Sequence, residues 1–365
     1  MTAIRIRAAV CYEHGAPLVV EKLTLADPAK HEVRVRLKAV AICHSDISSL
    51  RGEWAGGATP TVAGHEASGI VESIGPFVES VAVGDQVVVT LVRSCGKCDA
   101  CKAGHTVCCS GVTALDKASR LSNSAGVAVE QGLRTAAFAE ACVVHDSQVV
   151  RIPGEVPFVS AALLGCGVIT GFCSVTNIAK AEAGSKVVVI GIGGLGLNAI
   201  QGAVLCGASK IIAVDVLDSK LKAAREFGAT DIINARFADV VATVKSLCGN
   251  GADYVFVSAG SSQAFSQSIS MLNKYGSSVI LGMPPDSDKD FVVDSHALTT
   301  GRKVLGSKMG DTCIREDIPR LVDLYQQGKL KLDEIVSKTY SLTDINEALE
   351  DAERGESLRN VIVFD

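Results

Sequence analysis

Apolar and polar residues alternate through residues 31–40, HEVRVRLKAV, and a period of two predicts a β-strand. Residues 187–190 form an unbroken β-branched run, and no charge follows until after Ser209. That stretch is long enough to raise a membrane span. Its glycines, Asn198 and Gln201 predict instead a buried strand, a turn and a buried helix. A second strand runs from Ile211 to Asp215, and apolar runs beginning near 231 (DIIN), 253 (DYVFVSAG), 278 (SVILGM) and 303 (KVLGS) add four more. Six strands with intervening helices predict a doubly wound α/β domain.

The turn after the first of these strands reads Gly191-Ile192-Gly193-Gly194-Leu195-Gly196. Gly191 makes the tight turn, Gly193 lets the backbone approach a pyrophosphate at the helix N-terminus, and Gly196 permits close helix–strand packing. Asp215 ends the second strand about 20 residues further on, where an acid accepts hydrogen bonds from the adenosine ribose. Its charge repels a 2′-phosphate, so NAD is expected rather than NADP. The alternative for Asp215 is a solvated acid at a strand end.

Composition narrows the class. The chain has 365 residues, 48% of them hydrophobic and 21% charged, enough for two domains with sizeable cores. Its net charge is −5 and it has no Lys/Arg run, so no nucleic-acid partner is expected. The first residues lack a signal-type apolar stretch, and the 13 cysteines are odd in number. A cytoplasmic protein with reduced thiols, and no membrane partner, follows as the expectation.

Five of those cysteines fall in CGKCDACKAGHTVCC, residues 95–109. Cys95, Cys98, Cys101 and Cys109 have the spacing C-x2-C-x2-C-x7-C, which suits four thiolates around one zinc with no open position, a structural site. Gly96 and Gly104 allow the turns, and Cys108 is left outside the set. The competing reading is a redox C-x-x-C pair, which has no use for a third and fourth spaced cysteine. A second set is scattered: Cys43 in AICHSD, His65 in VAGHEASGIV and Cys166 in LLGCGVITG. Two thiolates and an imidazole leave a fourth position open, as catalytic zinc requires. Singly, each of the three is more simply a packed core residue.

Together these motifs resemble the zinc-dependent medium-chain dehydrogenases, in particular alcohol dehydrogenases with two zincs per subunit (the class III-like long form). The resemblance spans essentially the whole chain, from IRAAV at 6–10 to LRNVIVF at its end, through GHE (64–66), GDQVV (84–88), LLGCG and GIGGLG. It implies a GroES-like, β-rich catalytic domain over 1–167 carrying the zinc lobe, a Rossmann NAD domain over 168–309, and a return segment over 310–365, with the cleft between the two domains. It implies that Cys43, His65 and Cys166 hold catalytic zinc, with Glu66 behind it and Asp46 orienting His65. Ser45 would bridge the alcohol to the cofactor ribose. His44 and Arg359 would approach the pyrophosphate, and Lys220 would flank the adenosine ribose with Asp215. Lys220 and Arg359 read equally as surface charges. The implied chemistry is oxidation of an alcohol to an aldehyde or ketone: zinc acidifies the alcohol, Ser45 relays its proton, and hydride passes to NAD.

Two departures matter. Many family members carry a histidine five residues after the first zinc cysteine; here it is Ser48, so the proton relay ends in Ser48 and water. The glutathione-dependent formaldehyde dehydrogenases carry two acids and an arginine where this chain has Trp54, Gly56 and Thr113. By position the substrate channel is lined by Trp54, Leu91, Leu133, Met283 and Met309, an apolar set that favours aromatic or medium-chain alcohols, although each could be core. Alternatives are an aldehyde or enal reductase, a formaldehyde dehydrogenase for a thiol adduct other than glutathione, and a non-catalytic relative. Intact Cys43, His65 and Cys166 disfavour the last, and also the zinc-free quinone reductases. A homodimer is expected, pairing through an edge strand near 288–293.

Overall fold

The computed structural model describes residues 3–55 and 57–365; Gly56 lies outside them. The chain forms two compact units, one running to Cys166 and resuming at Cys313, the other Gly167–Thr312.

The first unit is built on two sheets. The larger has the order Val149–Arg151, Gln86–Val89, Glu66–Ile74, Glu32–Ala41, Arg359–Val363, Val336–Ser341, with Ala141–His145 also paired to Glu32–Ala41. Val33, Val35 and Leu37 are fully buried, as the alternation predicts. Each such side chain contributes about 1.5–3 kcal/mol on burial. Arg34 is buried too, because Asp27 and Glu72 pair with it at 3.0 and 2.9 Å. The C-terminal strand joins this sheet antiparallel to Glu32–Ala41, Val361 opposite Ala41. Residues far apart in sequence thereby meet at the end of one strand pair.

The second unit is the doubly wound domain. Its sheet is parallel among the described residues, in the order Asp231–Asn234, Lys210–Asp215, Lys186–Ile190, Ala252–Val257, Leu272–Ile280, Lys303–Gly306. All six expected strands are present. The charge-free stretch begins inside the strand Lys186–Ile190 and contains the helix Gly194–Leu205, and no helix is long and apolar enough to cross a membrane among the described residues.

Residues 288–293 correct an expectation. They form no strand; the sheet ends at Lys303–Gly306. Their polar groups serve a neighbouring helix instead. Asp288 accepts from the Ser262 hydroxyl at 2.6 Å and Val292 N–H donates to Ser266 Oγ at 3.2 Å.

Candidate metal centres and nucleotide site

The helix His44–Arg51 starts at Cys43, whose extended backbone is that of an N-cap. Asp46, in its first turn, accepts the Cys43 N–H at 3.0 Å through Oδ2. Its Oδ1 accepts the Gly64 N–H at 2.9 Å and His65 Nδ1 at 2.8 Å. Asp46 and His65 are both fully buried. One carboxylate therefore ties the helix start to the turn before strand Glu66–Ile74. It also assigns the His65 proton to Nδ1 and leaves Nε2 for a ligand role. That turn needs glycine at 64, where φ is +92° and a Cβ would stand 2.6 Å from Phe138 N.

The candidate ligand atoms of Cys43, His65, Glu66 and Cys166 lie within 4.8 Å of one another, all buried. The hydrogen bond between the two thiols draws Cys43 well below the ordinary thiol range and holds Cys166 well above it. Burial pushes the Glu66 carboxyl up to about 8, against the pull of Arg359. Glu66 Oε1 accepts from Arg359 Nη2 at 3.1 Å, while the buried Oε2 has no hydrogen-bond partner among the described residues. Two sulfurs, an imidazole nitrogen and an orphaned carboxylate oxygen are a donor set that fits a divalent zinc ion.

Around this cluster, Ser45 Oγ is 3.4 Å from His65 Nε2. Ser48 is buried one helical turn further on, and His44 is exposed at the helix start. The resemblance implied that Arg359 reaches a pyrophosphate. What the structure shows is a buried guanidinium on Glu66 and on Ile42 O at 2.9 Å, directly behind the ligand cluster.

The second group, Cys95, Cys98, Cys101 and Cys109, also has its sulfurs within 4.8 Å. Cys98 caps the short helix Asp99–Lys102, which carries Cys101, and Cys109 follows the turn Thr106–Cys108. Backbone N–H groups of Cys95 and Gly111 point at Cys109 Sγ from 3.2 and 3.3 Å, and that of Cys98 points at Cys95 Sγ from 3.3 Å. Such donors favour thiolates: backbone hydrogen bonds from Cys101 and Ser110 lower Cys98 to about 5, whereas burial lifts Cys101 to about 11. The donor set fits zinc with no open corner. Cys108 is exposed and stands outside the group. Gly111 escaped the sequence reading. A Cβ there would lie 2.7 Å from Cys95 Sγ, a proximity with no trace in local spacing.

In the second unit, Gly193 caps helix Gly194–Leu205, with Leu195 in its first turn and open space where a Cβ would stand on Gly193. A Cβ on Gly196 would meet Gly191 O at 2.0 Å, so helix and turn approach as closely as the motif predicts. Asp215 does more than end a strand. Its Oδ2 accepts the Ile192 N–H at 2.7 Å and its Oδ1 the N–H groups of Val216 and Leu217 at 2.7 and 3.0 Å. The acid thus braces the glycine turn from below, a role the sequence did not reveal. Lys220 lies partly buried on helix Asp218–Glu226. Of the expected pocket residues, Trp54, Leu91 and Leu133 belong to the first unit and Met283 and Met309 to the second. Leu133, Trp54, Leu91 and Met309 are half-buried, while Met283 is 62% exposed.

Comparison with known proteins agrees with this architecture. Residues 29–154 match the alcohol dehydrogenase GroES-like domain and residues 194–327 match the zinc-binding dehydrogenase family. The S-(hydroxymethyl)glutathione dehydrogenase of Saccharomyces cerevisiae is 36% identical over 375 residues, covering 99% of this chain and 97% of its own. The crystal structure of benzyl alcohol dehydrogenase from Acinetobacter calcoaceticus superposes with a TM-score of 0.92 at 33% identity, covering 99% of this chain and 100% of that one. An alcohol dehydrogenase zinc-binding domain protein from Burkholderia ambifaria gives 0.94 at 32% identity, with complete coverage of both chains.

Proposed function

The chain belongs to the zinc-dependent medium-chain alcohol dehydrogenases, and from that membership we propose that it oxidises apolar primary or secondary alcohols, aromatic or medium-chain, with NAD as acceptor. The observation that carries this reading is the buried Cys43–His65–Cys166 set with the orphaned Glu66 oxygen beside it. Cys43, His65 and Cys166 would hold a zinc whose Lewis acidity would acidify an alcohol, and NAD would be the hydride acceptor. A second zinc on Cys95, Cys98, Cys101 and Cys109 serves folding, giving two per subunit.

The residues of the chain do the rest. Asp46 holds the His65 ring so that Nε2 faces the ligand cluster. The Ser45 hydroxyl, 3.4 Å from that nitrogen, takes the alcohol proton. Ser48, buried on the same helix, passes it on as a hydroxyl and so depends on water for final release. A second reading is an aldehyde reductase, in which the same path would run in reverse and deliver the proton to the alkoxide. Asp215, already braced on three N–H groups, retains a lone pair for a ribose hydroxyl and would meet a 2′-phosphate with like charge. His44 and Lys220 are the groups we assign to the cofactor phosphates and ribose, whereas Arg359 is engaged with Glu66 and Ile42 O.

The yeast relative is named for a glutathione adduct, but the polar groups for that substrate are missing here. Trp54 and Gly56 replace two acids. Thr113 replaces an arginine, and its hydroxyl is engaged with Arg93 and Asp116 at 2.9 and 2.8 Å. Burying a charged substrate without partners is costly. The likeness to a benzyl alcohol dehydrogenase supports Trp54, Leu91 and Leu133 as an apolar lining in the first unit, with Met283 and Met309 as the apolar candidates of the second. A non-glutathione thiol adduct is the remaining substrate of formaldehyde-dehydrogenase type. We infer a homodimer, its contact not an edge strand at 288–293.

The test is NADH formation by zinc-loaded protein over benzyl alcohol, 1-hexanol, ethanol and S-hydroxymethylglutathione, with benzaldehyde reduction measured alongside. Benzyl alcohol and hexanol should lead. Preference for the glutathione adduct would overturn the substrate class, and silence on every alcohol and aldehyde would overturn the reaction.

A further inference from the structure

Arg93 stands just before the zinc lobe and belongs to neither metal set. Its side chain is buried, 5% exposed. Nε donates to Gln148 Oε1 at 2.8 Å, and Nη1 donates to Thr113 Oγ1 at 2.9 Å and Asp116 Oδ1 at 2.7 Å. Nη2 donates to Arg134 O at 3.3 Å. Gln148 is turned by this contact so that its amide donates to the same Arg134 carbonyl at 3.1 Å and to Thr90 O at 2.9 Å. Two buried donors therefore converge on one carbonyl.

That carbonyl lies in an unusual segment. Leu133, Arg134 and Ala136 all have left-handed backbones, with φ of 48°, 64° and 56°. Such a conformation costs free energy at every residue with a Cβ and persists only where the surroundings impose it. The far end of the segment supports the His65 turn. Thr135 Oγ1 donates to Gly64 O at 2.5 Å, Ala137 N–H to the same oxygen at 3.0 Å, and Phe138 N–H to Ala63 O at 2.8 Å.

We propose that Arg93 is a positioning residue for alcohol selectivity. By gripping Arg134 O, it holds the left-handed backbones of Leu133, Arg134 and Ala136 and so sets the Leu133 wall of the pocket and the backing of Gly64–His65. The same guanidinium grips Thr113 and Asp116, so the segment leaving the zinc lobe and the pocket wall share one support. A lysine could not make these contacts, because its ammonium is a point charge without a planar fork. The selectivity role rests on the proposed apolar-alcohol function, since Leu133 acts only if it lines that pocket.

Arg93→Met keeps an unbranched apolar stem in place of the buried side chain and removes its donors. The ratio of kcat/KM for benzyl alcohol to that for ethanol should fall about tenfold, mainly through a higher KM for benzyl alcohol, with both zincs retained. Glycine adopts left-handed backbone without penalty, so Arg93→Met combined with Arg134→Gly should recover at least about threefold of that ratio. General loosening of the fold would not be repaired by an exposed glycine. Amide hydrogen exchange at Ala137 and Phe138 reads the support without substrate: faster in Arg93→Met, slower again in the double variant. If Arg93→Met does not fold, Arg93→Lys takes its place and should change the same readouts in the same direction, less strongly. Unchanged selectivity with unchanged exchange, or a loss that Arg134→Gly does not repair, would overturn the proposal. A wild type inactive on benzyl alcohol would instead overturn the substrate reading, and the exchange measurement would still decide whether Arg93 supports the segment.

Discussion

Replacing Asp46 by asparagine removes one charge and one acceptor oxygen while keeping the shape. The carboxylate accepts three hydrogen bonds, from Cys43 N–H, Gly64 N–H and His65 Nδ1, in a fully buried setting. The less costly orientation of the new amide, its oxygen at the Oδ1 position, keeps the bonds to Gly64 and His65 but sets its NH2 against the Cys43 N–H. A buried donor left without an acceptor costs about 1–3 kcal/mol. The two surviving bonds also fall to roughly half their strength without the negative charge. Both ligands at risk, Cys43 and His65, belong to the open metal set. Zinc affinity there should drop about 10- to 100-fold, as for other partners of metal-bound histidine, equivalent to ~1.4–2.8 kcal/mol. The lobe cysteines do not touch Asp46, so their zinc should stay. The assay is zinc content per chain during titration with a graded chelator, with turnover measured on the same samples. Asp46→Asn protein that keeps both zincs against the same chelator and turns over like wild type would refute the argument that one carboxylate organises this site.

Three other outcomes are expected. Cys43→Ala or Cys166→Ala should abolish turnover in a folded protein that still binds NADH, whereas Cys98→Ala should lower Tm; equal effects in a thermal melt and activity assay would mean the two metal sets have not been told apart. Wild-type kcat/KM should favour NAD over NADP, and Asp215→Gly should shift preference towards NADP while raising the KM for NAD, because the Ile192 N–H loses its acceptor; a wild type that prefers NADP contradicts the reading of this acid. Ser48→His introduces a base with pKa about 6.5, deprotonated at pH 7, and should raise kcat for alcohol oxidation there by at most about tenfold, with little gain at pH 10. Because Ser48 is buried, the larger ring should also cost about 1–3 kcal/mol of stability, visible in Tm. No change in a reaction shown to be limited by proton release would mean the proton leaves elsewhere.

The features legible in the chain are those whose physics is local. Strand Glu32–Ala41 follows from its alternation, and the nucleotide sheet follows from apolar runs punctuated by turns, because side-chain period and backbone preference act over a few residues. Cys95 to Cys109 announce a metal through their spacing, since short turns alone bring their sulfurs together. The glycine turn before Gly196 is legible for the same reason. Segment 288–293 departs from expectation because its pattern does not tell a strand from a connection whose hydrogen bonds go to a helix. Other features depend on strand register and on chain crossings between distant residues. Arg359 meets Glu66 only because the last strand lies beside Glu32–Ala41. Gly111 meets Cys95, Asp215 meets the Ile192 N–H, and Arg93 reaches Arg134 O, each through folding that no spacing rule encodes. Residue type could nominate the ligands; which carboxylate, arginine and backbone carbonyl hold them in place follows from burial, which makes every unpartnered polar atom costly and so selects one packing.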